Sequence, residues 1–455
     1  MKKYFLIIAI LSSCFSVLAQ NFEGIWRGTL NVPGLELPIV FELKLLDQWT
    51  GTMQSPKQST AKIPLSSVRV QEDSVYLEVK SIGLSYHGKL ASDKKQINGT
   101  IKQGALEAPM RLEISNSADL KNSIGFKRSQ QVKTPYSYDT LAVSFRNEID
   151  QIDLAGTITY PRGKDKYPAV VLVSGSGPQD RNESLMGHEP FKILADFLTR
   201  NGIAVLRYDD RGVAESKGDF KTATSADFSK DAIAALNYLK TKPFVNPKRI
   251  GIIGHSEGGL IAFLLAGQKV PALKFMVSLA GPTIPMDSLL LLQSQAVMKS
   301  MGKSMTNTEI AVQRENYRIV MSDLPASQAM DSLMKNMQAL PESQNPEFAS
   351  GIATLLTPWY RYFLKIDPIP QIKKINIPVF AAFGGKDIQV PALANAESLT
   401  DNLPKGKLNA IKVYPELNHL FQKAKTGAVV EYSEIEETLN EELLNDIVMW
   451  IKSLK

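Results

Sequence analysis

The sequence predicts a small antiparallel β domain followed by a larger α/β domain with a mostly parallel sheet. At 455 residues the chain is too long for one small domain. Its N-terminal quarter shows short segments of alternating polarity separated by turn residues, which is typical of antiparallel strands. The rest alternates continuous apolar runs with helical patterns, which indicates a parallel sheet covered on both faces.

Residues 1–20 resemble an export signal. Two lysines precede an apolar stretch, and Val17-Leu18-Ala19 offers a small-residue cleavage site. Cys14, the single cysteine, follows Leu11-Ser12-Ser13 as in the lipobox of bacterial lipoproteins, so a lipid anchor is the alternative. We expect cleavage after residue 19, because the apolar stretch continues past Cys14. This predicts a periplasmic or extracellular protein, and no later run is long enough for a membrane span.

Charge and motifs exclude several classes of partner. The formal net charge is +6, and the basic residues are scattered without a run or an aromatic-interleaved patch, so nucleic-acid binding is disfavoured. The Gly-x-Gly at 175–177 runs into Pro178 and completes no nucleotide fingerprint. We expect neither a metal nor an organic cofactor.

The expected β domain covers residues 21–118 and forms a barrel or sandwich. Trp26 at its start is interpreted as a core residue rather than a ligand platform, because one large aromatic closes a small barrel. Residues 119–137 are polar and aperiodic, and are expected to be a linker.

The expected α/β domain covers residues 138–455. An antiparallel pair at 137–145 and 151–160 opens the sheet, and buried strands follow at 169–173, 203–208, 249–253, 275–279, 379–383 and 409–414. A Met-rich helical insertion at about 283–368 is expected to cap the sheet edge and build a substrate pocket. The alternative is a packed helical subdomain whose Met residues are core.

The segment Gly254-His255-Ser256-Glu257-Gly258 organises the predicted chemistry. It lies between a strand and a helix, the context that a G-x-S-x-G nucleophile elbow requires. Small residues are needed two positions either side of Ser256, and the helix start directs N–H groups towards a developing oxyanion. The alternative is an ordinary Gly-rich turn.

A serine nucleophile needs a base and a residue that orients the base. The chain has four His residues. His255 lies inside the elbow, His87 belongs to the other domain, and His188 precedes a helix, where at best it lines the site. His419, after the last predicted strand, is therefore the expected base. Asp387 in Gly384-Gly385-Lys386-Asp387 is the expected orienting acid, with a surface Asx turn as its alternative.

Two backbone N–H groups are expected to form the oxyanion hole: that of Glu257, which follows the nucleophile, and that of Ser176 in the loop after strand 169–173. The run Tyr208–Gly212 at the next strand end is expected to brace the loops through an Arg–carboxylate pair, with substrate contact as the alternative.

From about Tyr138 onward the chain resembles the α/β-hydrolase superfamily, and within it exported bacterial esterases and dienelactone-hydrolase-like or serine-aminopeptidase-like members. The resemblance rests on these motifs: Gly-Ser-Gly-Pro, Tyr-Asp-Asp-Arg-Gly, Gly-His-Ser-Glu-Gly-Gly, Gly-Gly-Lys-Asp and Asn-His-Leu-Phe. It implies a mostly parallel sheet with a helical cap, the order Ser256, Asp387, His419 for the triad, and the same two oxyanion donors. Many relatives have His-Gly where this chain has Ser174-Gly175.

The resulting hypothesis is an exported serine carboxylesterase that acts on a small-molecule ester through an acyl-enzyme. A peptidase or thioesterase with the same triad is one alternative, because specificity lies in the pocket. A catalytically inert binding protein, in which the β domain recruits a glycan or lipid, is the other.

Overall fold

The structure is a computed structural model that describes residues 22–32, 35–56, 62–103, 106–115, 128–163, 165–340 and 352–454. The expected export signal with Cys14, and the first half of the expected linker, lie outside these ranges. The chain divides into two compact units, Met1–Gly125 and Phe126–Lys455. In the described part of the chain, no helix is both long and apolar enough to cross a bilayer.

Within the described residues the first unit is a sheet of nine strands, and its strands pair antiparallel as the sequence predicted. The order across the sheet is β4-β3-β2-β1-β9-β8-β7-β6-β5. Trp26 is fully buried and its Nε1 donates to the carbonyl of Phe22 at 2.8 Å, which confirms the core interpretation. The strands are β1 (Gly24–Val32), β2 (Leu35–Leu45), β3 (Trp49–Gln54), β4 (Ile63–Pro64), β5 (Ser67–Gln71), β6 (Ser74–Val79), β7 (Leu84–Leu90), β8 (Gln96–Gln103) and β9 (Leu106–Ser115).

The second unit has an eight-stranded sheet in the order β10-β11-β13-β12-β14-β15-β16-β17. β10, β11 and β13 pair antiparallel, and every other pair is parallel, which confirms the predicted α/β class. The strands are β10 (Asp139–Asn147), β11 (Ile152–Tyr160), β12 (Tyr167–Val173), β13 (Ala204–Tyr208), β14 (Val245–His255), β15 (Phe275–Leu279), β16 (Val379–Gly384) and β17 (Ala410–Tyr414).

Helices cover both faces of this sheet. Helices α2, α3 and α9 pack with one hydrophobic cluster, and α1 and α10 pack with the other. The continuous apolar strands therefore have no water-facing side. The helices are α1 (Pro190–Arg200), α2 (Ser225–Lys240), α3 (Glu257–Gly267), α4 (Met286–Ser300), α5 (Asn307–Met321), α6 (Ala326–Met337), α7 (Pro358–Leu364), α8 (Ile369–Ile372), α9 (Ala392–Asn402) and α10 (Glu441–Ser453).

Helices α4 to α7 form the insertion between β15 and β16, and residues 341–351 of it lie outside the described ranges. They share a separate hydrophobic cluster around Tyr317, Val320 and Leu333. Met330 and Met337 pack against this cluster, as the core alternative expected, whereas Met334 is half exposed. The insertion is therefore a small helical core of its own.

Candidate active site

The elbow is a tight turn between a strand and a helix of the second unit. Ser256 lies between β14 and α3. Its φ of 51° and ψ of −116° are a backbone conformation that a residue with a side chain adopts only under strain. Its N–H donates to the carbonyl of Leu279 at 2.8 Å, and its own carbonyl accepts from Leu260. These bonds tie the strained residue to β15 and to α3.

Glycines are required on both sides of the elbow. A Cβ at Gly254 would lie 2.0 Å from the carbonyl oxygen of Gly258, and one at Gly258 would lie 2.0 Å from that of Val173. Both contacts are with backbone, which has no room to yield. The two glycines of the motif thus allow strand, turn and helix to approach within contact distance, as the elbow hypothesis expected.

Asp387 and His419 meet at the carboxyl edge of the sheet. Asp387 Oδ2 accepts from His419 Nδ1 at 2.7 Å, and both residues are buried. Asp387 Oδ1 accepts the N–H groups of Gln389 and Val390 at 2.7 and 2.8 Å. Because Nδ1 faces a carboxylate, it holds the ring proton, and Nε2 is left with its lone pair.

Small residues allow the two loops to touch. A Cβ at Gly384 would lie 2.4 Å from the carbonyl oxygen of Asn418, and the N–H of Lys386 donates to the carbonyl of Leu417 at 2.9 Å. The Asn418 side chain accepts from the N–H groups of Leu420 and Gln422, which fixes the turn that presents His419. Gly384 and Gly385 are therefore needed so that the loop of Asp387 can pack against the backbone of residues 415–418.

His419 also lies beside the elbow. Its carbonyl oxygen is 3.0 Å from His255 Nε2, and the rings of His255 and His419 have centroids 4.8 Å apart. The residue that precedes Ser256 is thus in direct contact with the expected base. The three residues expected for the triad approach the same point of the fold from β14, β16 and β17.

The expected oxyanion donors belong to the start of α3 and to the loop after β12. Glu257 opens α3, where the first N–H groups of a helix have no intrahelical partner. Ser176 lies exposed in the loop after β12, Ser174–Arg181, which we name the donor loop. Gly175 in this loop is so close to the elbow that a Cβ there would be 3.2 Å from the Cβ of Ser256.

A buried carboxylate holds the donor loop. Ser174 Oγ donates to Asp210 Oδ1 at 2.8 Å, and the N–H of Gln179 donates to Asp210 Oδ2 at 2.9 Å. Burial raises the pKa of Asp210 well above its usual range. Ser174, at the position where many relatives have His, therefore acts as an anchor for the loop.

The predicted brace at Tyr208–Gly212 exists, and it uses two separate pairs. Arg211 binds the buried carboxylate of Asp231 through Nε at 2.7 Å, and Asp209 binds Arg181 of the donor loop. The second pair ties β13 to the loop beside the elbow. The sequence had indicated the charges without their partners.

The remaining His residues are all engaged elsewhere. His188 is buried, with Nδ1 2.9 Å from Thr438 Oγ1 and Nε2 2.8 Å from the carbonyl oxygen of Tyr432. Burial lowers the pKa of His188 to about 4, so it is a neutral structural residue. His87 stacks on Tyr76 in the first unit.

Sequence reasoning missed the side chain of Glu257. The carboxylate is buried and accepts from Ser225 Oγ at 2.5 Å and from Trp359 Nε1 of α7 at 2.9 Å. Burial raises the pKa of Glu257 to about 6, against the two donors that lower it. A helix of the insertion thus contacts the residue next to the expected nucleophile. No spacing rule links residues 225, 257 and 359.

Within the described ranges, no group of three or more His, Cys, Asp or Glu residues is arranged to hold a metal ion.

A family model described as "Serine aminopeptidase, S33" matches residues 189–423, just over half of the chain. The chain belongs to this family of α/β-hydrolases. The match includes the elbow, Asp387 and His419.

Individual relatives are similar over part of their length. Esterase EstD of Thermotoga maritima is 28% identical over 302 residues, which covers 66% of this chain and 65% of EstD. Thiohydrolase apmlB of Arthrinium phaeospermum is 33% identical over 138 residues, 30% of this chain and 42% of that protein. The chain therefore matches less than two thirds of the length of either relative. The structure of the esterase Pf2001 of Pyrococcus furiosus aligns with 72% of this chain and 97% of that chain, at 18% identity and a TM-score of 0.44.

Proposed function

We propose that this protein is an exported serine hydrolase that cleaves carboxylic esters through Ser256, His419 and Asp387. The observation that supports this most is the 2.7 Å bond between His419 Nδ1 and Asp387 Oδ2, in a pair that lies beside a strained serine elbow. A buried His–Asp pair next to such a serine is the arrangement that activates a hydroxyl nucleophile.

The proposed reaction has two halves. Ser256 Oγ attacks the ester carbonyl carbon while its proton passes to His419 Nε2. The tetrahedral intermediate then breaks the bond to the alkoxy oxygen, and His419 returns the proton to the leaving alcohol. A water attacks the acyl-enzyme with the same base, the carboxylic acid leaves, and Ser256 regains its proton.

Asp387 has an orienting role in this proposal. Its carboxylate fixes the ring of His419 and stabilises the imidazolium that forms when the serine proton is transferred. The N–H groups of Glu257 and Ser176 are proposed to stabilise the oxyanion. The position of Glu257 at the start of α3 supports this, because the positive end of the helix dipole is there.

Esters are the proposed substrates because EstD, which is similar over 302 residues, is named an esterase. The same groups cleave thioesters and amides, and the family description and the thiohydrolase make these the competing substrates. The test is hydrolysis of p-nitrophenyl esters from acetate upward, of acyl thioesters and of aminoacyl anilides. Wild type and Ser256→Ala are compared.

Ester turnover that vanishes in Ser256→Ala, with slower turnover of anilides, is the expected result. Ester turnover that survives in folded Ser256→Ala would overturn the assignment of the nucleophile. A wild type that turns over anilides or thioesters faster than every ester would overturn the substrate class alone.

Export is proposed from the sequence of residues 1–20. The mass of the mature N-terminus tests it: a chain that starts at Gln20 is expected, and a lipidated Cys14 would replace the secreted form with an anchored one.

A further inference from the structure

We propose that Glu183 and His255 form a charged positioning pair, an inference that rests on the proposed function. The pair holds the donor loop and residues 415–423, the His419 loop, in their reactive arrangement. The pair is built from three contacts that meet within one buried cluster. Of the two residues, only His255 belongs to the elbow motif.

The contacts join three segments of the site. Glu183 Oε1 accepts the N–H of Gly175 at 2.8 Å and the Nδ1–H of His255 at 2.9 Å. His255 Nε2–H donates to the carbonyl oxygen of His419 at 3.0 Å. One carboxylate therefore connects the donor loop to the elbow, and the ring of His255 connects the elbow to the base.

The partners of His255 determine its protonation. A carbonyl oxygen has no proton to give, so Nε2 must carry one. An ionised Glu183 has no proton to give, so beside it Nδ1 carries a second proton, and the ring is an imidazolium next to a carboxylate. Apolar side chains surround the pair, among them Phe191, Leu279 and Leu420. Beside an ionised Glu183, a neutral ring would lose one of its two bonds.

Charged neighbours agree with this state. The titratable groups that face His255 are Glu183 of the loop before α1, His419, whose ring is 4.8 Å away, and Asp387 at a longer distance. Burial alone would lower the pKa of His255, but the Glu183 carboxylate and the bond to His419 outweigh it, so the pKa is raised.

The consequence for turnover follows from the sign of that shift. A group whose pKa is raised keeps its proton to a higher pH than a free imidazole does and loses it as the pH rises through the raised value. Deprotonation of His255 would break one of its two bonds and release either the donor loop or the His419 loop. We therefore expect kcat to fall on the alkaline side with the ionisation of His255, while KM stays nearly constant, because neither residue touches substrate.

The test compares Glu183→Gln and His255→Gln with two matched controls, Glu189→Gln and His87→Gln. Glu189 lies six positions along the same segment and pairs with Lys192 at the surface, and His87 is an exposed histidine of the first unit. The expected result is a loss of about 10- to 100-fold in kcat in the first two variants, with little change in KM, as for a catalytic group displaced by a fraction of an ångström. Both controls are expected to keep the kcat of wild type.

Two readouts separate positioning from simple support of the fold. In Glu183→Gln the alkaline limb of the kcat profile is expected to move to lower pH, because the charge that raises the pKa of His255 is gone. Histidine-selective ¹⁵N labelling of the wild type is expected to show, among four rings, one that stays doubly protonated at pH 7 and is missing from His255→Gln.

The variants distinguish failure of the Glu183–His255 pair from failure of Ser256 as the nucleophile. If Ser256→Ala abolishes turnover but folded Glu183→Gln keeps the kcat and alkaline limb of wild type, the positioning pair is wrong and the nucleophile stands. A His255 ring that is neutral at pH 7 in the wild type overturns the proposal even where the variants do not fold. If Ser256→Ala leaves turnover unchanged, the proposed function itself fails.

Discussion

Replacing Asp387 with Asn is expected to abolish most of the activity without unfolding the protein. Asp387 Oδ1 accepts two backbone N–H groups, and the amide oxygen of Asn can keep both bonds. The amide nitrogen then takes the place of Oδ2, 2.7 Å from His419 Nδ1. Because an amide N–H donates, His419 must accept at Nδ1 and carry its proton on Nε2, which is the wrong tautomer for a base.

The size of the loss follows from that tautomer. An equivalent amide replacement in a serine-hydrolase triad lowers kcat about 10⁴-fold, so we expect about 10³- to 10⁴-fold here. This corresponds to about 4 to 5.5 kcal/mol of transition-state stabilisation. Asp387→Ala is expected to lose a similar amount of activity and also about 2 kcal/mol or more of stability, because two buried N–H groups lose their acceptor.

The assay is steady-state ester hydrolysis with thermal unfolding measured in parallel. Asp446→Asn is the matched control, since that carboxylate is largely buried and accepts from Tyr414 Oη away from the elbow. A folded Asp387→Asn whose kcat is within tenfold of wild type would refute the orienting role of Asp387.

Two further predictions concern the elbow itself. The stability of Glu257→Gln relative to wild type is expected to rise by about 2 kcal/mol between pH 4 and pH 7. The reason is that the pKa of Glu257 is raised from 4.5 to about 6 in the folded protein. Wild type therefore loses stability as the pH rises through this interval, because the unfolded chain releases the proton first. Urea unfolding of both forms at each pH measures this, and a constant difference would contradict it. Gly258→Ala is expected to yield little folded protein, because its Cβ would lie 2.0 Å from a backbone oxygen, whereas Gly302→Ala, with φ 72° and no atom within 4 Å, is expected to lose only about 1 kcal/mol. Comparable expression and melting temperatures for the two alanine variants would contradict that reasoning.

The fold was largely predictable because each signal is local. Continuous apolar strands such as Ala169–Val173 and the helical patterns between them have a periodicity that reflects burial directly. β3 and β5 did not stand out, since Trp49–Gln54 and Ser67–Gln71 are short and mostly half exposed. Strands at the sides of a small antiparallel sheet leave a weak pattern for this reason.

The sequence predicted the candidate triad residues, but it did not predict the residues that hydrogen-bond to their loops and hold them in place. Ser256 and Asp387 each follow a strand in a motif with glycines, and His419 follows the last strand, so the sequence offers all three as candidates. Glu183 lies in a polar loop without periodicity, and its bond to His255 spans 72 positions. Partnerships of this kind depend on how loops meet in space, which no local pattern records.

The central claim, that Ser256 is an activated nucleophile, is tested most directly by labelling with a fluorophosphonate probe followed by peptide mass mapping. The probe forms a covalent bond to a serine oxygen only where a base removes the hydroxyl proton. We predict a single adduct on Ser256 in the wild type, with labelling lost in Ser256→Ala and strongly slowed in His419→Ala. A folded wild type that resists the probe, or an adduct on another serine, would contradict the account.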